Sequence, residues 1–106
     1  MMHILLTGSS GFVGRYLADA LNRRGYRVSC LDRSGDCHLC DITDERAVGL
    51  LLRRIEPDII VHLAAISRVD FEHPGEIYRV NVLGTASLLA AEASLHRKPS
   101  LLYISS

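Results

Sequence analysis

Short apolar runs alternate with stretches of helical period along the 106 residues. Ile4-Leu5-Leu6, Val28-Ser29-Cys30-Leu31, Ile59 to Leu63 and Leu101 to Ile104 are too short for helices and, after the first, rich in branched side chains. Near-continuous hydrophobicity of that length suits strands buried on both faces, as in a parallel sheet. Between the first two runs, Phe12, Tyr16, Leu17, Ala20 and Leu21 make one apolar helical stripe, with Gly25 where a stop is expected. Thr43 to Ile55 predicts a second helix, capped by Thr43 or Asp44 and followed by Pro57. A longer third helix is predicted from Pro74 to Arg97, with Ile77, Val80, Leu83, Leu88, Ala91 and Leu95 turned inward and Pro99 beyond it. Asp36 to Asp41 reads as a short extra strand. The order β-α-β-(β)-α-β-α-β is that of a doubly wound α/β fold, and right-handed crossovers predict a parallel sheet of strand order 3-2-1-4-5.

Composition bounds what such a sheet serves. With 48% apolar and 23% charged residues, the chain has the size and core of one domain. Twelve basic side chains balance twelve acidic ones, which argues against nucleic acid or an anionic membrane as partner. No apolar stretch approaches the ~20 residues of a membrane span. The start, Met1-Met2-His3, lacks the basic region of a signal peptide. Three cysteines, an odd count, give no disulfide framework and suit a reducing cytoplasm. Tyr103-Ile104-Ser105-Ser106 looks like a strand running into an active-site loop, so the chain reads as an incomplete, N-terminal portion of something longer.

The candidate chemistry begins at Thr7-Gly8-Ser9-Ser10-Gly11-Phe12-Val13-Gly14, between the first strand and the first helix. Gly8 can take the positive φ of a tight turn, Gly11 lets backbone approach a diphosphate, and Gly14 lets helix and sheet pack closely. The helix N-terminus offers free N–H groups and a positive dipole end to phosphates. No Gly-Lys-Ser/Thr follows, which disfavours a phosphate-transfer loop. Asp32 closes the second strand, where a carboxylate accepts both ribose hydroxyls of an adenosine and repels a 2′-phosphate, favouring NAD. Arg33 beside it could hold that phosphate instead, which keeps NADP as the alternative.

These residues resemble the extended short-chain dehydrogenases/reductases, the NAD-dependent epimerases and dehydratases of nucleotide sugars. The spacing of Gly8, Gly11 and Gly14 is that group's variant. Further matches are Cys40-Asp41-Ile42-Thr43-Asp44, Pro57 to Ala65, Val80-Asn81-Val82-Leu83-Gly84-Thr85 and Tyr103-Ile104-Ser105-Ser106. Within the family the chain looks most like the GDP-mannose dehydratase and GDP-sugar reductase branch. The resemblance implies a Rossmann-type NAD(P)-binding domain over residues 1–106. Its glycine loop would present Gly8, Ser10, Gly11, Phe12, Val13 and Gly14 to the cofactor, followed by Asp32 and Arg33. It also implies Asp41 and Ile42 against the adenine, the first through its carboxylate and the second through its backbone. Leu63, Ala64 and Ala65 would line the cofactor between diphosphate and nicotinamide ribose, with Asn81 near the active site and Ser67 facing substrate. Ser106 aligns with the catalytic Ser/Thr that hydrogen-bonds the substrate oxygen, with Ser105 one register away. The implied partners are a nucleotide sugar, bound largely by a missing C-terminal region, and a second copy paired through the long helix.

The family's general acid/base is a Tyr with a Lys four residues later. Ala20, Cys30 and Val82 stand four after Tyr16, Tyr26 and Tyr78, and Tyr103 has no such residue, so the dyad is absent here. The chain is therefore expected to hold a cofactor without turning over substrate. The alternative is a non-catalytic, redox-sensing or regulatory dinucleotide module. Cys37-His38-Leu39-Cys40 has half of a zinc-site pattern and no second half, so no metal is expected and the cysteines read as small buried hydrophobes. His62, on an apolar strand, reads as a satisfied core histidine rather than a base.

Overall fold

Five parallel strands form one sheet in the order β3-β2-β1-β4-β5. A computed structural model describes residues 2–8, 12–32, 38–39, 41–63 and 82–104, without the side chains of Phe12, Asp32, His38 and Leu39. The elements run β1 (His3–Thr7), α1 (Phe12–Arg23), β2 (Arg27–Asp32), β3 (His38–Leu39), α2 (Glu45–Ile55), β4 (Ile59–His62), α3 (Gly84–Ala93) and β5 (Ser100–Tyr103). Every residue of β1 is buried, as the centre of a doubly covered sheet requires. It pairs with β2 from His3↔Arg27 to Thr7↔Leu31 and with β4 from Ile4↔Ile59 to Thr7↔His62. The doubly wound expectation and its strand order both hold.

Alternation along the strands splits the core in two. One face carries Leu5, Leu31 and Ile60, closed by Val48 and Leu52 of α2, Leu88 and Ala91 of α3, and Ile42. The other carries Ile4, Leu6, Val61 and Leu63, with Leu17, Ala18 and Leu21 of α1 packed against them. Asp44 caps α2 by accepting the Ala47 N–H at 3.2 Å, which decides between the two caps the sequence allowed. Glu56 ends the helix left-handed at φ 52°, its N–H on the Leu52 carbonyl.

Three expectations need correction. Tyr16 is 73% exposed, because the inward stripe of α1 is Gly14, Leu17, Ala18 and Leu21, and Tyr16 lies ~100° from Leu17. Leu83 is 49% exposed: the inward line Leu88–Ala91–Leu95 fixes the face, and five positions before Leu88 is about 140° away. The third helix ends at Ala93 rather than Arg97, where the Ser94 N–H and Oγ both bond to the Ala91 carbonyl. Its expected start, with Ile77 and Val80, lies outside the described residues.

Cys30 on β2 is disulfide-bonded, so the odd cysteine count does not mean that none pairs. Its partner lies outside the described residues. β3 runs beside β2 in the register Leu31↔His38 and Asp32↔Leu39.

Candidate dinucleotide site

Strand order reverses between β1 and β4, because the chain moves outward to β2 and β3 on one side and to β5 on the other. In open α/β sheets the crevice beyond the carboxyl ends of the strands at that reversal is where ligands bind. Thr7 ends β1 and is followed by Gly8 at φ 72°, a left-handed conformation that the missing Cβ permits. The Gly8 N–H donates to the Leu31 carbonyl at 3.2 Å, tying the turn to β2. The 12-residue helix α1 begins at Phe12, with Gly14 buried and Val13 exposed. Asp32 ends β2 on the same rim.

Across the crevice, Asp41 to Asp44 forms a turn held by its own atoms. Asp41 Oδ1 accepts from the Thr43 N–H at 2.9 Å and the Thr43 hydroxyl at 2.7 Å, while the Asp44 N–H bonds to the Asp41 carbonyl at 2.9 Å. Ile42 is buried in the core at the centre of this turn. Leu63 follows β4 buried, its N–H on the Thr7 carbonyl at 3.0 Å. Ser10, Gly11, Arg33, Ser67, Ala64, Ala65, Asn81, Ser105 and Ser106 lie outside the described residues.

Beneath the crevice floor is a polar row of which the sequence singled out only His62. His62 is fully buried, with Nδ1 2.5 Å from Thr7 Oγ1 and Nε2 2.9 Å from Thr85 Oγ1 on α3. Its ring also meets Tyr103 of β5 at a centroid distance of 5.3 Å. A neutral imidazole offers one donor and one acceptor, and a hydroxyl can play either part, so both ring nitrogens are satisfied without a charge. Burial pushes the imidazole down to about 4, which keeps it neutral. His62 is thus the satisfied core histidine that the sequence suggested, and its partners are the new information. Thr7 and His62 are 55 residues apart, so nothing local in the sequence announces the pair.

The first turn of α3 reaches the Asp41–Asp44 turn as well. Ser87 Oγ donates to the Thr43 carbonyl at 3.1 Å. A Cβ on Gly84 would lie 2.7 Å from Ile42 Cγ2, closer than real Cβ contacts come. A glycine opening a helix costs stability relative to alanine, and that was the one available sign of a packing reason here.

At the opposite end of the sheet, Asp58 accepts the His3 N–H at 2.7 Å and pairs with Arg97. The His3 N–H, with Arg97 adding to it, holds the Asp58 carboxyl below its usual range. Among the described residues, no helix is long and apolar enough to cross a membrane.

The same arrangement occurs in known proteins. The sequence profile of the NAD-dependent epimerase/dehydratase family matches residues 4–106. GDP-6-deoxy-D-talose 4-dehydrogenase of Aggregatibacter actinomycetemcomitans is 36% identical over 98 residues, which is 90% of this chain and 32% of that protein. UDP-glucuronate 4-epimerase 2 of Arabidopsis thaliana is 32% identical, covering 97% of this chain and 29% of that one. The crystal structure of UDP-glucose 4-epimerase from Brucella ovis in complex with NAD superposes with a TM-score of 0.80 at 30% identity, over 97% of this chain and 35% of that one. The chain thus spans about a third of the length of the curated relatives it matches. With a left-handed glycine at the β1 end, the reversal of strand order beside it and a family match from one end of the described sheet to the other, the chain belongs to the NAD-dependent epimerase/dehydratase family.

Proposed function

We propose that residues 1–106 form the coenzyme-holding domain of a cytoplasmic, dimeric enzyme. Its reaction would be the NAD-dependent epimerisation, dehydration or reduction of a nucleotide sugar. The observation that carries this reading is the left-handed turn at Gly8, opening at the reversal of strand order. The residues fit the dinucleotide. Gly8, Ser10, Gly11, Phe12, Val13 and Gly14 would face the diphosphate with backbone N–H groups, as the positive end of a helix favours. Asp32 would accept the adenosine ribose hydroxyls, with Arg33 beside it. Asp41 would meet the adenine through its carboxylate, which also holds the Thr43 N–H and hydroxyl on Oδ1, and Ile42 through its backbone. Leu63, Ala64, Ala65 and Asn81 would line the nicotinamide side.

When bound, the nicotinamide supplies reversible two-electron oxidation of a sugar carbinol carbon. This chain's own contribution is a floor without charge, since His62 stays neutral under Thr7, and a hydrogen bond from Ser106 to the sugar oxygen. The sugar-nucleotide class follows from the relatives, whose names carry GDP- and UDP-sugars. The test is a calorimetric titration of the protein with NAD and NADP in parallel. Saturable NAD binding, with NADP at least about tenfold weaker because Asp32 repels the 2′-phosphate, is the expected result. Tighter NADP binding would transfer the ribose role to Arg33, and binding of neither would sink the reading.

A further inference from the structure

We propose that Gly84 is a positioning residue for the adenosine half of the dinucleotide, acting through Ile42; the inference rests on the function proposed above. The Asp41–Asp44 turn is rigid in itself, so its place relative to the crevice is set by what it sits on. It sits on the first turn of α3. Ile42 buries its side chain against Gly84, where a Cβ would lie 2.7 Å from Cγ2, 3.6 Å from Cγ1 and 3.7 Å from the Ile42 Cβ. Ser87 draws the same turn inward through the Thr43 carbonyl at 3.1 Å.

An added methyl at Gly84 would have to displace one side of this contact. α3 is not the side that yields. Thr85 ties it to His62 at 2.9 Å, and Leu88 and Ala91 anchor it in the larger core at 0% and 3% exposure. The turn meets α3 through the Ser87–Thr43 hydrogen bond and the Ile42 side chain, so the push of an added methyl reaches the turn through Ile42. Since the function proposed above assigns the adenine to the Asp41–Ile42 turn, that movement would carry the adenine-reading atoms with it. A displacement of a few tenths of an ångström to 1 Å is large against the precision that binding constellations need.

The test uses AMP and NAD as probes, with four forms of the protein: unchanged, Gly84→Ala, Ile42→Ala, and the two together. Gly84→Ala should weaken AMP and NAD equally, by about tenfold or 1.4 kcal/mol. The double variant should return to within about threefold of the unchanged protein, since only the Ile42 Cβ would then face the new methyl, at an ordinary 3.7 Å. That recovery comes despite a core weakened by losing the Ile42 side chain, and a merely structural glycine would not show it. Equal binding by Gly84→Ala and the unchanged protein overturns the proposal, as does a double variant weaker than Gly84→Ala. Should Gly84→Ala not fold, Ile42→Ala is compared with the double variant. Tighter AMP binding by the double, whose methyl refills the vacated space, supports the proposal; equal or weaker binding overturns it. If the unchanged protein binds neither probe, the proposed function fails, and that outcome is distinct from every other.

Discussion

The two faces of the sheet are built differently. The α2–α3 face buries eight side chains in one cluster, two of its helices meet where Gly49 approaches Ala91, and the polar row of Thr7, His62 and Thr85 is set into it. The α1 face fully buries four, and its helix residues Leu17, Ala18 and Leu21 stay partly exposed. Leu102, which alternation assigns to the α1 side, is 53% exposed on β5. The contrast separates two ways of building half a ligand site. On the α1 side the parts that would meet phosphate are backbone, placed by a left-handed glycine and needing little packing behind them. On the other side the adenine-reading turn owes its position to side chains underneath.

The strongest way to break this contrast is to truncate one leucine on each face. Leu52→Ala should cost about 3 kcal/mol, by transfer and cavity terms together, because the site is fully closed. Leu21→Ala, half-buried, should cost about 1 kcal/mol. Urea unfolding of both variants measures the difference, and equal losses would erase the distinction between the faces.

A second effect belongs to the polar row. His62 is held at about 4 in the fold against an ordinary value of 6.5, so the unfolded chain takes up a proton that the folded one refuses. Stability is therefore full above pH 6.5 and lost as pH falls towards 4. Between pH 7.5 and 5 the loss should be about 2 kcal/mol. Thermal melts across that range check it, and His62→Gln should flatten the slope. A slope that survives in His62→Gln would assign the titration elsewhere. Smallest of all, Leu102→Ser should change stability by less than about 0.5 kcal/mol, since its side chain already faces solvent. A larger loss would mean that the α1 face is better closed than its exposures indicate.

How much of this was legible in the sequence depends on range. The parallel strands, their order and the Gly8 turn could be read, since each rests on local periodicity or on one residue's backbone freedom. Tyr16 and Leu83 were misplaced because an apolar stripe is two or three positions wide in sequence, and only packing decides which edge of it turns inward. The pairing of Cys30 was hidden because a count of cysteines does not say which of them meet in space. His62 could be recognised as buried and satisfied, yet Thr7 and Thr85 could not be named, being supplied by other elements. Gly84 is the instructive case: its identity was visible within Val82-Leu83-Gly84-Thr85, but the reason for it is a methyl group of Ile42 half the chain away.

The central strand also has a consequence for synthesis. β1 emerges before its partner β4, which arrives only after the intervening residues have been made, Thr7 and His62 being 55 positions apart. At ordinary translation rates that is a wait of roughly 3–10 s. Over that interval Ile4, Leu5 and Leu6, buried on both faces in the finished sheet, have at most β2 beside them. The nascent chain thus exposes its fully buried central strand for seconds, a period in which a ribosome-associated chaperone, rather than the fold, would keep it from other chains.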